Sequence, residues 1–160
     1  MAQELVAVRK RDEEFLLQVM DLFLEYADSL DFDLGFQDFD RELAELPGEY
    51  SEPDGRLFIA YESGRPAGCV ALRKIDGGIC EMKRLYVRPE FRGRAIGRVL
   101  AERVVSEAKK IGYGKMRLDT VSSMTEAITL YGSLGFVEIG KYRLNPLPDA
   151  VFLELDLTTR

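Results

Sequence analysis

The sequence predicts a single α/β domain built on a mixed, mostly antiparallel sheet. Three observations carry that prediction. Residues 56–87 hold three strand-like runs joined by tight turns, the pattern of an antiparallel meander. Residues 79–121 read as strand, helix, strand, which implies a parallel pair and a right-handed crossover. The chain has 160 residues with no internal repeat or linker, which suits one core.

The elements follow in order. "LVAVRK" (5–10) opens as a short strand. "RDEEFLLQVMDLFLEYADSL" reads as a helix, because Phe15, Val19, Leu22, Phe23 and Tyr26 recur at helical spacing. Asp12 stands where an N-cap belongs, and the acidic first turn suits the helix dipole. "FDLGFQDFD" is an aromatic connection, and "FDRELAEL" is a short second helix ended by Pro47 and Gly48. The meander strands are "RLFIAYE", "PAGCVALRKI" and "ICEMKRLYV", the last one stopped by Pro89. A long helix is expected from about Gly93 to Lys110, closed by Gly112 and Gly114. "KMRLDTV" is the following strand. "MTEAITLYGSLGF" is a shorter helix, with Ala127, Leu130, Tyr131 and Leu134 along one side and Gly135 at its end. "FVEIG" and "VFLELDL" are the last strands, separated by the loop "KYRLNPLPDA".

Composition narrows the function. Apolar residues make up 46% and charged residues 31%, an ordinary globular balance. No apolar run approaches the roughly 20 residues that span a bilayer, so no membrane partner is expected. The N-terminus lacks an apolar signal region, and a cytoplasmic location is expected. A net charge of -6 makes nucleic acid a poor partner. The absence of histidine removes Ser-His-Asp and Cys-His machinery and His-ligated metal, and no metal is expected. Cys69 and Cys80 sit in apolar strand settings and read as buried free thiols.

One segment conflicts with helix physics. "PEFRGRAIGRVLAERVV" puts Arg92, Arg94 and Arg98 where a helix starts. Cations there cost a few tenths to about 1 kcal/mol each. A glycine-softened turn, free N–H groups and arginines together make a cradle for phosphate or pyrophosphate. The same residues also read as a plain strand-to-helix turn with solvated arginines. The segment is not a GxGxxG fingerprint, because Ala95 and Arg98 replace its glycines. Nor is it a P-loop, because Arg98 and Val99 follow Gly97.

"EMKRLYVRPEFRGRAIGRVLAERVVSEAKKIGY", then "MRLDT", then "AITLYGSLGF", resembles the GNAT superfamily of N-acetyltransferases, from about Glu81 to Phe136. The resemblance implies one GNAT domain over residues 1–160, with about four helices flanking the sheet and the parallel strands splayed at a cofactor cleft. It implies acetyl-CoA as co-substrate and direct acetyl transfer to a primary amine: a small amine, an amino-acid-like compound or a protein amino group. The family's pyrophosphate loop falls on Arg92, Gly93, Arg94, Ala95, Ile96, Gly97 and Arg98. The strand end Leu85, Tyr86 and Val87 would pair its backbone with the pantetheine arm. Ala95 departs from the family's glycine, and its methyl fits if the backbone there is helical. Met124 stands where the family often has a cofactor-contacting asparagine.

The resemblance also assigns chemistry. Tyr131 falls on the family's tyrosine, suited to protonate the departing thiolate. Outside the motif it would read as an ordinary core tyrosine. Glu81 occupies the strand position where some members carry a catalytic glutamate, on one strand face with Lys83, Leu85 and Val87. It reads equally as a solvated strand carboxylate paired with a lysine or arginine. Asp119 is a second candidate base, and a water relay is a third route. Tyr26, Phe32, Phe36, Phe39, Tyr142 and Asn145 are candidates for the acceptor wall, although the aromatics also suit plain packing. Glu25, Asp28, Asp31, Asp33 and Asp38 form an acidic rim that would draw a cationic amine, or an ordinary solvated face. Two other readings stand beside the enzyme: a GNAT-fold protein that binds acyl-CoA without turnover, and a phosphate-ligand binder of another fold. The sequence leaves room for a homodimer.

Overall fold

The computed structural model describes residues 3–30 and 32–158, apart from the side chains of residues 36 and 37. Asp31 and the Phe36 side chain, both predicted near the acceptor wall, lie outside the described residues. The strands are β1 (Gln3–Ala7), β2 (Arg56–Glu62), β3 (Arg65–Asp76), β4 (Ile79–Val87), β5 (Lys115–Val121), β6 (Val137–Ile139) and β7 (Ala150–Asp156). They form one seven-stranded sheet in the order β1-β2-β3-β4-β5-β7-β6. Every neighbouring pair is antiparallel except β4 and β5, which run parallel. The helices are α1 (Glu13–Ser29), α2 (Phe39–Glu45), α3 (Ile96–Ile111) and α4 (Thr125–Ser133). The mixed, mostly antiparallel sheet, its meander and its single crossover thus match the sequence pattern.

Strand alternation feeds two cores, one on each face of the sheet. In β2, Leu57, Ile59 and Tyr61 pack with Val19, Leu22 and Phe23 of α1. Phe58 and Ala60 turn the other way, to Leu100, Ala101 and Val104 of α3. Fully burying a Leu or Phe side chain contributes about 1.5–3 kcal/mol, so both helical layers are held chiefly by the sheet.

Element boundaries differ from the sequence pattern where polar groups intervene. β1 ends at Ala7, and the Asp12 carboxylate accepts the Arg9 N–H at 2.8 Å. Asp12 sits at the N-cap position, but its side chain closes this preceding turn and not the helix. The connection between α1 and α2 contains a 3-10 turn, Leu34–Gln37, opened by Asp33, whose carboxylate accepts the Gly35 N–H at 2.7 Å. The long helix starts at Ile96, later than the expected Gly93, because Gly93 (φ +82°) and Ala95 (φ +63°) are left-handed.

The parallel pair is short. β4 and β5 are in register only at Ile79–Lys115, Cys80–Met116 and Glu81–Arg117. Beyond them the strands diverge, and the cause lies in β4. Arg84 adopts φ +61°, and the register with β3 jumps from Ala71–Lys83 to Cys69–Tyr86. This bulge adds a residue to β4, bends it and increases its twist.

The bulge also switches the strand's faces. Cys80 and Met82 pack toward α3 before it, and Leu85 and Val87 do so after it. The single face expected for Glu81, Lys83, Leu85 and Val87 therefore does not exist. Glu81 and Lys83 belong to the opposite face.

Gly68 makes the close packing at this point possible. A Cβ there would lie 2.4 Å from the Tyr86 carbonyl oxygen. Gly68→Ala should therefore lower stability by about 1–3 kcal/mol. Urea unfolding should show a lower midpoint with an unchanged slope.

Candidate active site

The divergence of β4 and β5 opens a narrow cleft of about 60 Å³. Met82, Leu85, Leu118 and Val121 line it from the strands, Met124, Ala127 and Tyr131 from the α4 side, and Tyr26 from α1. Asn145 and Leu147 of the β6–β7 loop close one flank. Tyr131 is buried, 7% exposed, and burial pushes its pKa well up. The phenol therefore keeps its proton at neutral pH. Its position is held at the end of α4, where Gly135 (φ +103°) turns the chain and the Phe136 N–H bonds to the Tyr131 carbonyl at 3.1 Å.

At the start of α3 the chain turns through Gly93 and Ala95. The Val99 N–H, bonded to the Ala95 carbonyl at 3.1 Å, opens the helical ladder. The N–H groups of residues 93–98 precede that ladder and are available to a ligand. The expected fit of Ala95 as a helical residue needs correction. Its left-handed backbone strains an alanine by about 1 kcal/mol relative to glycine. Each arginine of the segment has a local contact. Arg92 Nε donates to the Val87 carbonyl at 3.1 Å, Arg98 Nη2 to Ser133 Oγ at 2.5 Å, and Arg94 lies 5.8 Å from the Phe91 ring centre. A row of N–H donors at a positive helix end, flanked by guanidinium groups, fits a diphosphate. Beside it, the edge of β4 beyond Glu81 has no strand partner on the β5 side among the described residues. Leu85 and Val87 lie along that edge, whereas the Tyr86 side chain turns to the α1 layer and meets Tyr26 edge-on at 5.9 Å.

The remaining predicted residues separate into two groups. Tyr26, Phe32, Asp119 and Asn145 reach the cleft. Asn145 Nδ2 donates to Asp119 Oδ2 at 3.0 Å, and its Oδ1 accepts the Leu147 N–H at 3.0 Å. Glu81 lies outside the cleft, at 0% exposure. Its carboxylate accepts from Arg73 Nε at 2.8 Å, Arg143 Nη1 at 3.1 Å and the Tyr142 hydroxyl at 2.5 Å. Burial alone would raise its pKa. The cations Lys83, Arg73 and Arg143 and the Tyr142 bond outweigh that and hold it below the usual carboxylate value. Tyr142 is thereby engaged with Glu81, and Phe39 lies under the Arg84 guanidinium at 5.3 Å. The acidic rim is also partly engaged, with Glu25 in a salt bridge to Arg88 at 2.6 Å.

Sequence reasoning missed four cations. Arg73 and Arg143 clamp Glu81, and Arg84 makes a two-pronged bond to Glu42 at 2.9 and 2.7 Å. Lys83 is pushed down to about 7, first by burial and then by Arg84. The available signal was "MKRL", two adjacent cations in a strand that is apolar apart from them and Glu81.

A profile of the acetyltransferase (GNAT) family matches residues 16–136. The chain belongs to this family. An uncharacterized N-acetyltransferase of Schizosaccharomyces pombe is 41% identical to this GNAT chain over 139 residues, covering 86% of it and 85% of its own length. One from Dictyostelium discoideum is 37% identical over 202 aligned positions, covering 88% and 94%. The yncA protein of Salmonella typhimurium, solved with its cofactor acetyl-CoA, superposes with a TM-score of 0.72. The likeness covers 100% of this chain and 96% of that one, and at 20% identity it concerns the fold. This GNAT protein is an N-acetyltransferase, and no helix among its described residues is long and apolar enough to cross a membrane.

Two outcomes follow from the site's electrostatics and strain. A lowered Glu81 value means that its contribution is complete above the unfolded value of 4.5 and is lost as pH falls through the folded one. Urea midpoints taken from about pH 6 down to about pH 3 should therefore fall, and Glu81→Gln should flatten that fall while costing about 3–5 kcal/mol at neutral pH. Ala95→Gly should relieve the left-handed strain and raise Tm by about 2–4 °C in a calorimetric melt.

Proposed function

We propose that this GNAT enzyme moves the acetyl group of acetyl-CoA directly to a primary amine on a small, amino-acid-like molecule. The observation that carries the reading is a junction of three features. The unpartnered edge of β4 and the buried Tyr131 phenol share one cleft, and the donor row of residues 93–98 lies beside it, with Gly97 against Val87 at the end of β4 and Leu130 of α4. When bound, acetyl-CoA supplies an acyl group activated as a thioester. The N–H groups of residues 93–98 hold the diphosphate, with Arg92, Arg94 and Arg98 supplying positive charge. The free edge of β4, through Leu85 and Val87, binds the extended arm as a further strand would. Tyr131 carries its proton at the cleft wall and delivers it to the departing sulfur.

An incoming ammonium must lose a proton before it can attack. Among the described residues lining the cleft, Asp119 is the single carboxylate. Glu81 has its oxygens engaged by two arginines and a tyrosine. We therefore assign the base to Asp119, oriented by Asn145 and acting through water in the cleft.

The test is thiol release from acetyl-CoA with a panel of primary amines, beside thermal melts with acetyl-CoA and CoA. Both compounds should raise Tm, and no shift with either would end the reading. Tyr131→Phe should lower kcat about 10²–10⁴-fold while leaving acetyl-CoA affinity close to that of the parent. An unchanged kcat would remove Tyr131 from the acid's role.

A further inference from the structure

A second cavity of about 400 Å³ lies between the α2 segment and the sheet. Its size suits a small metabolite. Its sheet-side wall carries Arg73, Lys83 and Arg143. Lys83 also lines the thioester cleft, so the two cavities adjoin at this side chain.

On this wall two guanidinium groups share one buried carboxylate. Arg73 and Arg143 converge on one carboxylate, that of the fully buried Glu81. The second carboxylate that meets them, Glu49, pairs with Arg73 at the surface. Each arginine side chain remains 22% exposed. Arg143 reaches Glu81 through Nη1, and Arg73 uses Nε there and Nη1 on Glu49 at 2.9 Å. Glu49 is itself 71% exposed, a surface partner that a ligand can displace.

The carboxylates of the facing wall are engaged elsewhere. Glu42 is held by both prongs of Arg84, and Glu45 pairs with Arg41 at 3.3 Å, while Asp38 stands at the exposed rim. A cavity for a purely cationic amine would not be backed by guanidinium groups. Guanidinium forks match a carboxylate in geometry and charge.

We propose that the acceptor amine carries a carboxylate, that Arg73 and Arg143 receive it, and that its amine passes Lys83 into the cleft beside Tyr131. This rests on the acetyltransferase reading above and names its acceptor class.

The experiment uses the full chain and matched acceptors: amino acids, each with its carboxamide and its decarboxylated amine, read by thiol release. The acid of each set should show a kcat/KM about tenfold or more above the other two. Arg143→Gln should raise KM for the acids about tenfold, leave kcat within about twofold and leave the KM of the carboxylate-free amines close to that of the parent. Arg143→Lys should fall between. A merely structural role for Arg143 would depress all three classes together. Equal or better turnover of decarboxylated amines, or an unaltered preference in Arg143→Gln, would overturn the proposal.

If no amine of any class releases thiol, the transfer reading fails and titration calorimetry with glutarate decides the site by itself. Binding by the parent that weakens about tenfold in Arg143→Gln supports the site. No binding by the parent, or equal binding by both proteins, overturns it.

Discussion

The left-handed bulge at Arg84 is the constraint on which the rest of the molecule depends. A non-glycine residue keeps such a backbone only where its surroundings over-determine it. Here Glu42 grips both prongs of the guanidinium and Phe39 lies beneath it. α2 thus acts as a clamp on β4. The clamped bulge bends β4 away from β5 after Glu81, and the cleft exists because of that bend. The same extra residue sends Leu85 and Val87 toward α3 and leaves Lys83 at the boundary between two cavities. One backbone irregularity therefore sets the cleft's opening, its apolar floor and its neighbour.

Buried charge sits on either side of this bulge, and each charge has a partner. Glu81 lies where β4 and β5 still pair, and its clamp ties β3, β4 and the β6–β7 loop together. Such a group is expensive to desolvate and contributes mainly while every partner is in place. The loop is tied a second time through Asn145, which joins Asp119 to Leu147. The flank of the cleft is thus fixed by polar bonds, while its floor is fixed by apolar packing.

Much of this was legible in the sequence, and the exceptions share a cause. The meander and the crossover follow from local alternation and turn residues, which a sequence displays directly. The loop of residues 92–98 and Tyr131 could be located in the sequence because each belongs to a short contiguous motif. The bulge was not, because "CEMKRLYV" alternates convincingly and an arginine gives no sign of a positive φ. That hidden residue misassigned the faces of Leu85 and Val87. Ala95 was misread for the same reason, since alanine ordinarily signals right-handed helix. A cation beside Glu81 was foreseeable, but its burial and its partners Tyr142 and Arg143 were not, because those lie 61 and 62 residues away. Pattern reading works along the chain, and this site is assembled across it.

The interrupted pairing of β4 has a consequence for self-association. An unpaired strand edge is an open template on which another chain can add, and exposed edges promote aggregation. Here the edge is short and recessed, with Tyr26, Tyr131 and Asn145 around it. A neighbouring strand carries side chains on both faces, and a slot of about 60 Å³ leaves little room for them. A thinner chain bearing amide groups suits such an edge better. The depth of the cleft thus acts as a sieve: it hides a sticky edge from proteins and keeps it open to a thin ligand.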